Sequence, residues 1–249
     1  MDKKKKIGLI TNLCIVGVLC SLGVAVFFAD LSNVFISVGA PVKNGRGGEI
    51  SLIIVVDGDA KPADVLSVAS ALRGEHDKPE TKTPATFFVG GNWASFHPEI
   101  IKEIAKDFEI GNHAYNNKSL ARMTEDKQMR EIMDAHKIIY EITNAMQVDS
   151  AGEITESKPV SMKLFMPPNG DFNKKTLKCA DKMQYRTVIW SRDARGKTSS
   201  EIFKNATTGI TGGDFVRLDV TRFLTPEILR LVIKEYNKNF TITKISDNI

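Results

Sequence analysis

The chain has 249 residues, 42% hydrophobic and 26% charged, with a formal net charge of +4. This is the composition of a globular protein with a proper core, and the length allows one large α/β domain or two small ones. The first six residues carry +3 of the charge through Lys3 to Lys6 less Asp2, so the remainder is nearly neutral, which argues against a nucleic-acid-binding surface.

In chain order, the basic segment 1–6 precedes an apolar run from Ile7 to Phe28, interrupted only by Thr11, Asn12 and Ser21. The run is 22 residues long. A membrane-spanning helix needs roughly 20, whereas the apolar core of a cleaved signal peptide has about 7–15. Residues 7–29 are therefore expected to form an uncleaved transmembrane anchor, with a cleaved signal as the rival. The lysines before it place residues 1–6 in the cytoplasm and the rest outside. Cys14 and Cys20 fall within this run and Cys179 is alone beyond it, so no disulfide framework or cysteine metal cluster can be built. Residues 30–49, ending in "KNGRGG", have the glycines and charges of a flexible tether to a domain over 50–249.

Beyond the tether, strand and helix patterns alternate. β-branched or apolar runs predict strands over 50–56, 83–90, 109–112, 162–168, 185–191, 213–220 and 240–246. Helical spacing predicts helices over 61–72, 97–108, 124–143, 173–183, 199–209 and 225–239. Proline near the start of 97–108 costs little, because the first N–H groups of a helix have no intrahelical partner. Thr124 followed by two acids suits the first turn of 124–143. Strands separated by helices imply a parallel sheet, as a barrel or an open doubly wound sheet. In either, chemistry lies at the C-terminal strand ends. That directs attention to Asp57, the stretch after Ile110, Pro167 to Asn169, Ser191 to Asp193, and Asp219.

Those places also carry a resemblance. "ATFF", "HPEIIKEI", "EIGNH", "PPNGDFNKKTLK", "IWS" and "GGDFVRLD" resemble, in order and spacing, the polysaccharide deacetylases of carbohydrate esterase family 4. "GDFNKKTLK" is most similar to the sporulation-associated branch. The resemblance covers about residues 50–246 and implies a distorted seven-stranded (β/α) barrel. Its implied catalytic motifs are degraded. Where the family has paired aspartates, a base and a metal ligand, this chain has "IVVDGD". Asp57 takes the base position with Gly58 at the ligand position, or a one-residue shift makes Asp57 the ligand and Val56 the missing base. His113 matches the first metal-binding histidine, and Asn117 replaces the second. Met166 stands for the arginine that orients the base. Asn169 stands for the tyrosine of the oxyanion loop, with its backbone N–H still able to donate. Only Asp193 survives of the motif that orients the acid, and Asp219 replaces the acid histidine itself.

Metal-assisted amide hydrolysis needs a Lewis acid, a base for its water and an acid for the leaving amine. A catalytic zinc usually has three protein ligands, and this chain offers Asp57, His113 and at best Asn117, a neutral donor poor for zinc. An ionised Asp219 cannot donate a proton. Period-two alternation puts Arg217 on the same strand face as Asp219, so an inward Asp219 brings a guanidinium to the cation site. The alternative leaves Arg217 solvated at the rim. Trp190 and Trp93 read as packing or as sugar-stacking surfaces. His76 reads as solvated, His97 as a cap or surface residue, and His136 as packing or surface.

The expectation is a catalytically degenerate, membrane-anchored member on the outer side of a bacterial cell membrane, or in a forespore or mother-cell envelope. It would bind cell-wall glycan or an envelope protein and need no cofactor. Asn169, Arg217 and Trp190 are its candidate contact residues. One alternative is an active N-deacetylase of peptidoglycan-type glycan holding a zinc-class divalent metal. Another is a structural component of an envelope or spore complex.

Overall fold

A computed structural model describes residues 39–75, 81–144, 147–148, 154–155 and 163–249. The segments expected to form the basic terminus (1–6) and the anchor (7–29) lie outside the described residues, as does His76. Among the described residues no helix is long and apolar enough to cross a membrane.

The strands are β1 (Glu49–Val56), β2 (Thr86–Val89), β3 (Glu109–Asn112), an antiparallel pair β4 (Gln147–Val148) and β5 (Ile154–Thr155), β6 (Leu164–Phe165), β7 (Arg186–Thr187), β8 (Arg192–Asp193), β9 (Phe215–Asp219) and β10 (Thr241–Thr243). The helices are α1 (Pro62–Arg73), α2 (Gly91–Phe96), α3 (Pro98–Ala105), α4 (Glu125–Thr143), α5 (Lys174–Lys182), α6 (Ser199–Thr207), α7 (Pro226–Tyr236) and α8 (Ile245–Asn248). The main sheet runs β7-β6-β3-β2-β1-β9-β8, with β10 also paired to β1. Its ladders are parallel, as the alternating pattern requires.

The sheet curls into a half-barrel, which is the form the expected distorted barrel takes. The stretch expected as one strand over 185–191 instead supplies β7 to one edge and leads directly into β8 at the other. Only residues 188–191 separate them. Parallel pairing needs a crossover of about a dozen residues or more, so these two edges cannot pair with each other. The chain ahead of β1 occupies the opening. Val42 bridges Val188, and Asn44 bridges Asp214. Gly45 donates to the Gly213 carbonyl at 2.8 Å, and Arg46 to Asn248 Oδ1 at 2.6 Å. Residues 42–46, read from composition as tether, are thus built into the fold.

Period-two alternation divides the core. Ile50, Leu52, Ile54 and Val56 face the helices in the larger apolar cluster. Ile53 and Val55 face the concave interior with Phe88, Leu164, Met166, Val188, Phe215 and Ile245. β1 is buried on both faces, which is why its sequence is an almost unbroken apolar run. Gly111 pairs with Phe88 across the β2–β3 ladder. A Cβ at Gly111 would lie 2.5 Å from the Phe88 ring, so the interior requires glycine there. The expected last strand stops at Thr243. The chain then turns into α8, whose Ile245 is buried in the interior cluster.

Candidate functional site

The interior positions of β9 and the ends of β1, β3 and β6 converge at the C-terminal mouth. Register places Arg217 beside Ile53 and Asp219 beside Val55, both inward positions. Arg217 is only 2% exposed. Its Nε donates to Asp219 Oδ1 at 2.6 Å and its Nη2 to Asp219 Oδ2 at 2.9 Å, a bidentate pair. The guanidinium carbon lies 4.3 Å from the centroid of the Trp190 ring. Trp190 is in turn packed against Gly170, whose φ is +66° and whose Cβ, if present, would sit 2.7 Å from the indole. Trp190 is thus a support for Arg217, with one ring face already occupied.

His113 follows β3 and is buried. Its Nδ1 lies 2.7 Å from the Met166 carbonyl, which can only accept, so Nδ1 carries the proton and Nε2 presents a lone pair. That Nε2 is 3.8 Å from Asp57 Oδ2 and has no hydrogen-bond partner among the described residues. Burial, then the neighbouring Arg217 charge, lowers the His113 pKa to about 3, so the ring is neutral. Asp57, at the end of β1, is shifted the other way. Burial, then Asp219, outweighs the attraction of Arg217 and raises its pKa to about 6. Below about pH 6 a proton held on Asp57 therefore faces an imidazole lone pair, and above it a carboxylate does.

Backbone geometry fixes the loop that carries His113. Ala114 has φ 60°, a left-handed conformation unusual outside glycine. Its N–H is held by Asn112 Oδ1 at 2.8 Å. Asn112 Nδ2 is anchored in turn to the Ile132 carbonyl at 2.9 Å and to the Tyr185 hydroxyl at 3.1 Å. Tyr185 Oη lies 2.6 Å from His136 Nδ1, so His136 belongs to this support. Asn117 Oδ1 accepts from Asn169 Nδ2 at 3.3 Å, and Asn169 is itself left-handed at φ 56°. Met166 is fully buried and reaches the site only through its carbonyl. Asp193 holds Arg195 in a bidentate pair, with contacts of 2.9 and 2.6 Å.

The residues present do not fit a catalytic zinc. Asp57 and His113 supply two donors where three are usual. The donor atom of Asn117 already accepts from Asn169, and a guanidinium stands within the same cluster. Among the described residues no group of three His, Cys, Asp or Glu could hold a metal ion. Among the described residues His113 Nε2 and the buried Arg217 Nη1 have no partner, and are instead an acceptor and a donor for a polar ligand or solvent.

Beside Asp57 lies a cleft of about 480 Å³ reaching Asn92, Trp93, Phe96, His97, Tyr115 and Asn117. Its far wall is α2, which sequence spacing missed. Six residues between a strand and a proline-started helix are too few to show a helical period. His97 packs on Trp93 with ring centroids 4.5 Å apart.

Residues 79–188 match the family model for polysaccharide deacetylase. The chain is 27% identical over 173 residues to a peptidoglycan-N-acetylglucosamine deacetylase of Bacillus cereus, covering 67% of this chain and 71% of that one. It is 36% identical over 111 residues to the uncharacterized protein YlxY of Bacillus subtilis, covering 44% of this chain but only 30% of that relative's length. Among solved structures, a CE4 family pseudoenzyme from Bacillus anthracis superposes with a TM-score of 0.70 at 22% identity, over 84% of this chain and 68% of that one. A family 4 carbohydrate esterase from Streptomyces lividans gives 0.61 at 19% identity, over 80% of this chain and 92% of that one.

Proposed function

Given that the chain carries a polysaccharide deacetylase domain, we propose that it binds N-acetylated cell-wall glycan without hydrolysing it. The observation that carries this reading is the Arg217–Asp219 pair, which sets a guanidinium in the cluster where the resemblance calls for a cation and an acid histidine. A buried positive charge there opposes a divalent ion and lowers the basicity of His113. Asp57 remains at the wall of the cleft, with the buried His113 behind it. The relationship to peptidoglycan deacetylases supports a glycan as ligand.

The proposal includes residues 7–29 as a tether that holds the domain outside a bacterial cell membrane, on the strength of the apolar run and the lysines before it. A role at the cell wall or in sporulation belongs to the same reading. One observation favours an active N-deacetylase instead: a carboxyl raised to about 6 at Asp57 has the basicity of a general base.

The test is metal analysis of the purified full-length chain, with acetate release and retention on insoluble peptidoglycan measured on the same sample. The expected result is glycan retention, no acetate and no stoichiometric zinc, cobalt or nickel. Stoichiometric metal with acetate release that His113→Ala abolishes would establish the active enzyme. Loss of all glycan retention, with an envelope protein still captured, would leave a structural component.

A further inference from the structure

A groove of about 790 Å³ lies at the opposite end of the sheet from Asp57. It runs between the end of α1 and α7, and reaches Thr241, which pairs with Glu49 at the start of β1. Asp57 follows the other end of that strand, roughly 25 Å away at the usual rise per residue. The lining carries four cations, Lys82, Arg230, Lys234 and Lys238, against one carboxylate, Glu75. Beside them Ala71, Ile233, Phe240 and Ile242 supply an apolar wall. The volume lies within the range of small-molecule pockets, roughly 300–1,000 Å³.

Two of these cations are committed. Lys82 Nζ donates to Asp107 Oδ1 at 2.7 Å, and Lys238 Nζ to Glu235 Oε2 at 2.5 Å. The Arg230 and Lys234 side chains are exposed and form no ion pair or hydrogen bond with a described residue. They stand four apart on α7, where like charges meet on one face and repel. The negative end of the helix dipole accounts for Lys234 in the last turn. It does not account for Arg230 a turn earlier, nor for Lys82 arriving from a second element. An anion seated between Arg230 and Lys234 relieves the repulsion. Backbone bonds hold the walls: Thr83 donates to the Leu72 carbonyl at 2.8 Å, Phe240 to Tyr236 at 2.9 Å and Thr241 to Gly48 at 3.0 Å. The groove is therefore formed in advance, and little ordering cost remains for a ligand.

We propose that this groove binds the headgroup of an anionic phospholipid. The phosphate lies between the Arg230 guanidinium and the Lys234 ammonium, and the first carbons of the acyl chains cover the apolar wall. A guanidinium pairs with phosphate oxygens through two parallel N–H bonds. A polar phosphodiester polymer would leave Ile233 and Phe240 uncovered, so the apolar wall favours an amphiphile. A zwitterionic headgroup brings a quaternary amine into a lining with excess positive charge, so the groove selects phosphatidylglycerol over phosphatidylcholine. This inference is independent of the glycan reading, and takes from the tether reading only the bilayer that supplies the lipid.

The test is amine labelling of the full-length chain in a neutral detergent, read residue by residue by mass spectrometry. Dihexanoylphosphatidylglycerol, dihexanoylphosphatidylcholine and glycerol 3-phosphate are titrated separately. At about four times its Kd, phosphatidylglycerol should slow the labelling of Lys234 about fivefold, because about one site in five stays open. Lys137, exposed on α4, should be unaffected. At the same concentration the other two should protect Lys234 less than about twofold. Arg230→Gln should weaken phosphatidylglycerol at least about fivefold, the scale of one charge-assisted contact, and Arg230→Lys should retain most of the binding. Arg230 is exposed, so unchanged melting temperatures in both variants separate binding from folding. Equal protection by phosphatidylcholine overturns the selection for an anion, and equal protection by glycerol 3-phosphate overturns the lipid in favour of a soluble phosphate ester. No protection, or protection that Arg230→Gln leaves intact, overturns the site. Sedimentation of the full-length chain with phosphatidylcholine vesicles tests the tether separately, and its failure would overturn the tether while the groove stands or falls on the labelling.

Discussion

Between about pH 4 and 6, Asp57 and His113 exchange the protonation states that each would hold in water. The folded chain keeps a proton on Asp57 up to about pH 6 against an ordinary 3.8, and keeps His113 neutral down to about 3 against an ordinary 6.5. His113 alone makes the unfolded chain the better proton binder between about pH 6.5 and 3, so its contribution to stability is lost as pH falls through that window. Asp57 alone makes the folded chain the better binder between 3.8 and about 6, so its contribution is lost as pH rises through that window. Between pH 4 and 6 the two slopes oppose each other and nearly cancel. Asp57→Asn removes one of them. Relative to wild type, the variant should lose about 1.4 kcal/mol of stability per pH unit on going from pH 6 to 4. Urea denaturation at several pH values measures this, and parallel curves for the two chains would contradict the assigned states. The residue types of the site were readable in the chain, and the spacing of two put Arg217 and Asp219 on one strand face, with an inward pair and a solvated Arg217 both open. The lone pair of His113 was not readable, because it depends on a carbonyl 53 residues away.

At the scale of elements, helix starts were the most readable feature. Pro62, Pro98 and Pro226 mark first turns. Asn173 caps α5 in a capping box, accepting from Lys175 and Thr176 while Thr176 Oγ1 accepts from the Asn173 N–H. Strand ends were less readable: the segments expected over 162–168 and 185–191 form two-residue ladders, because a strand counts only where a neighbour pairs with it. α2 was missed, yet it makes a close backbone approach. A Cβ at Gly91 would lie 2.6 Å from Ala135 Cα and 2.9 Å from its Cβ, so α2 rests directly on α4. Gly91→Ala should destabilise the chain by roughly 1–3 kcal/mol through overpacking and displace the cleft wall. Thermal unfolding measures the cost. An unchanged melting temperature would mean that the two helices separate freely.

At the scale of the molecule, the half-barrel is closed off by both ends of the described chain. Residues 42–46 cross the lateral opening, and α8 packs into the interior. Ile245 donates its N–H to Thr86 Oγ1 at 3.0 Å, and Asn248 donates to Ser51 Oγ at 2.9 Å. Deleting residues 245–249 uncovers the interior apolar cluster and removes the Asn248 donor from the buried Ser51 hydroxyl, while Thr86 keeps its bond to Glu109. The expected loss is at least about 3 kcal/mol, the scale of emptying one large buried aliphatic position. A lower urea midpoint reports it, and an unaltered midpoint would show that α8 is dispensable. By itself the sequence determined the order and type of most elements, the parallel sheet and the strand ends where chemistry would sit. All of these follow from periodicity and spacing, which are local along the chain. Only the tertiary structure decided that the barrel stays open, that Arg217 lies between Asp219 and Trp190, that Asn117 pairs with Asn169, and that Phe96 stands exposed over a cleft. Each depends on how the curl of the sheet brings distant segments together, and no local pattern encodes that curl.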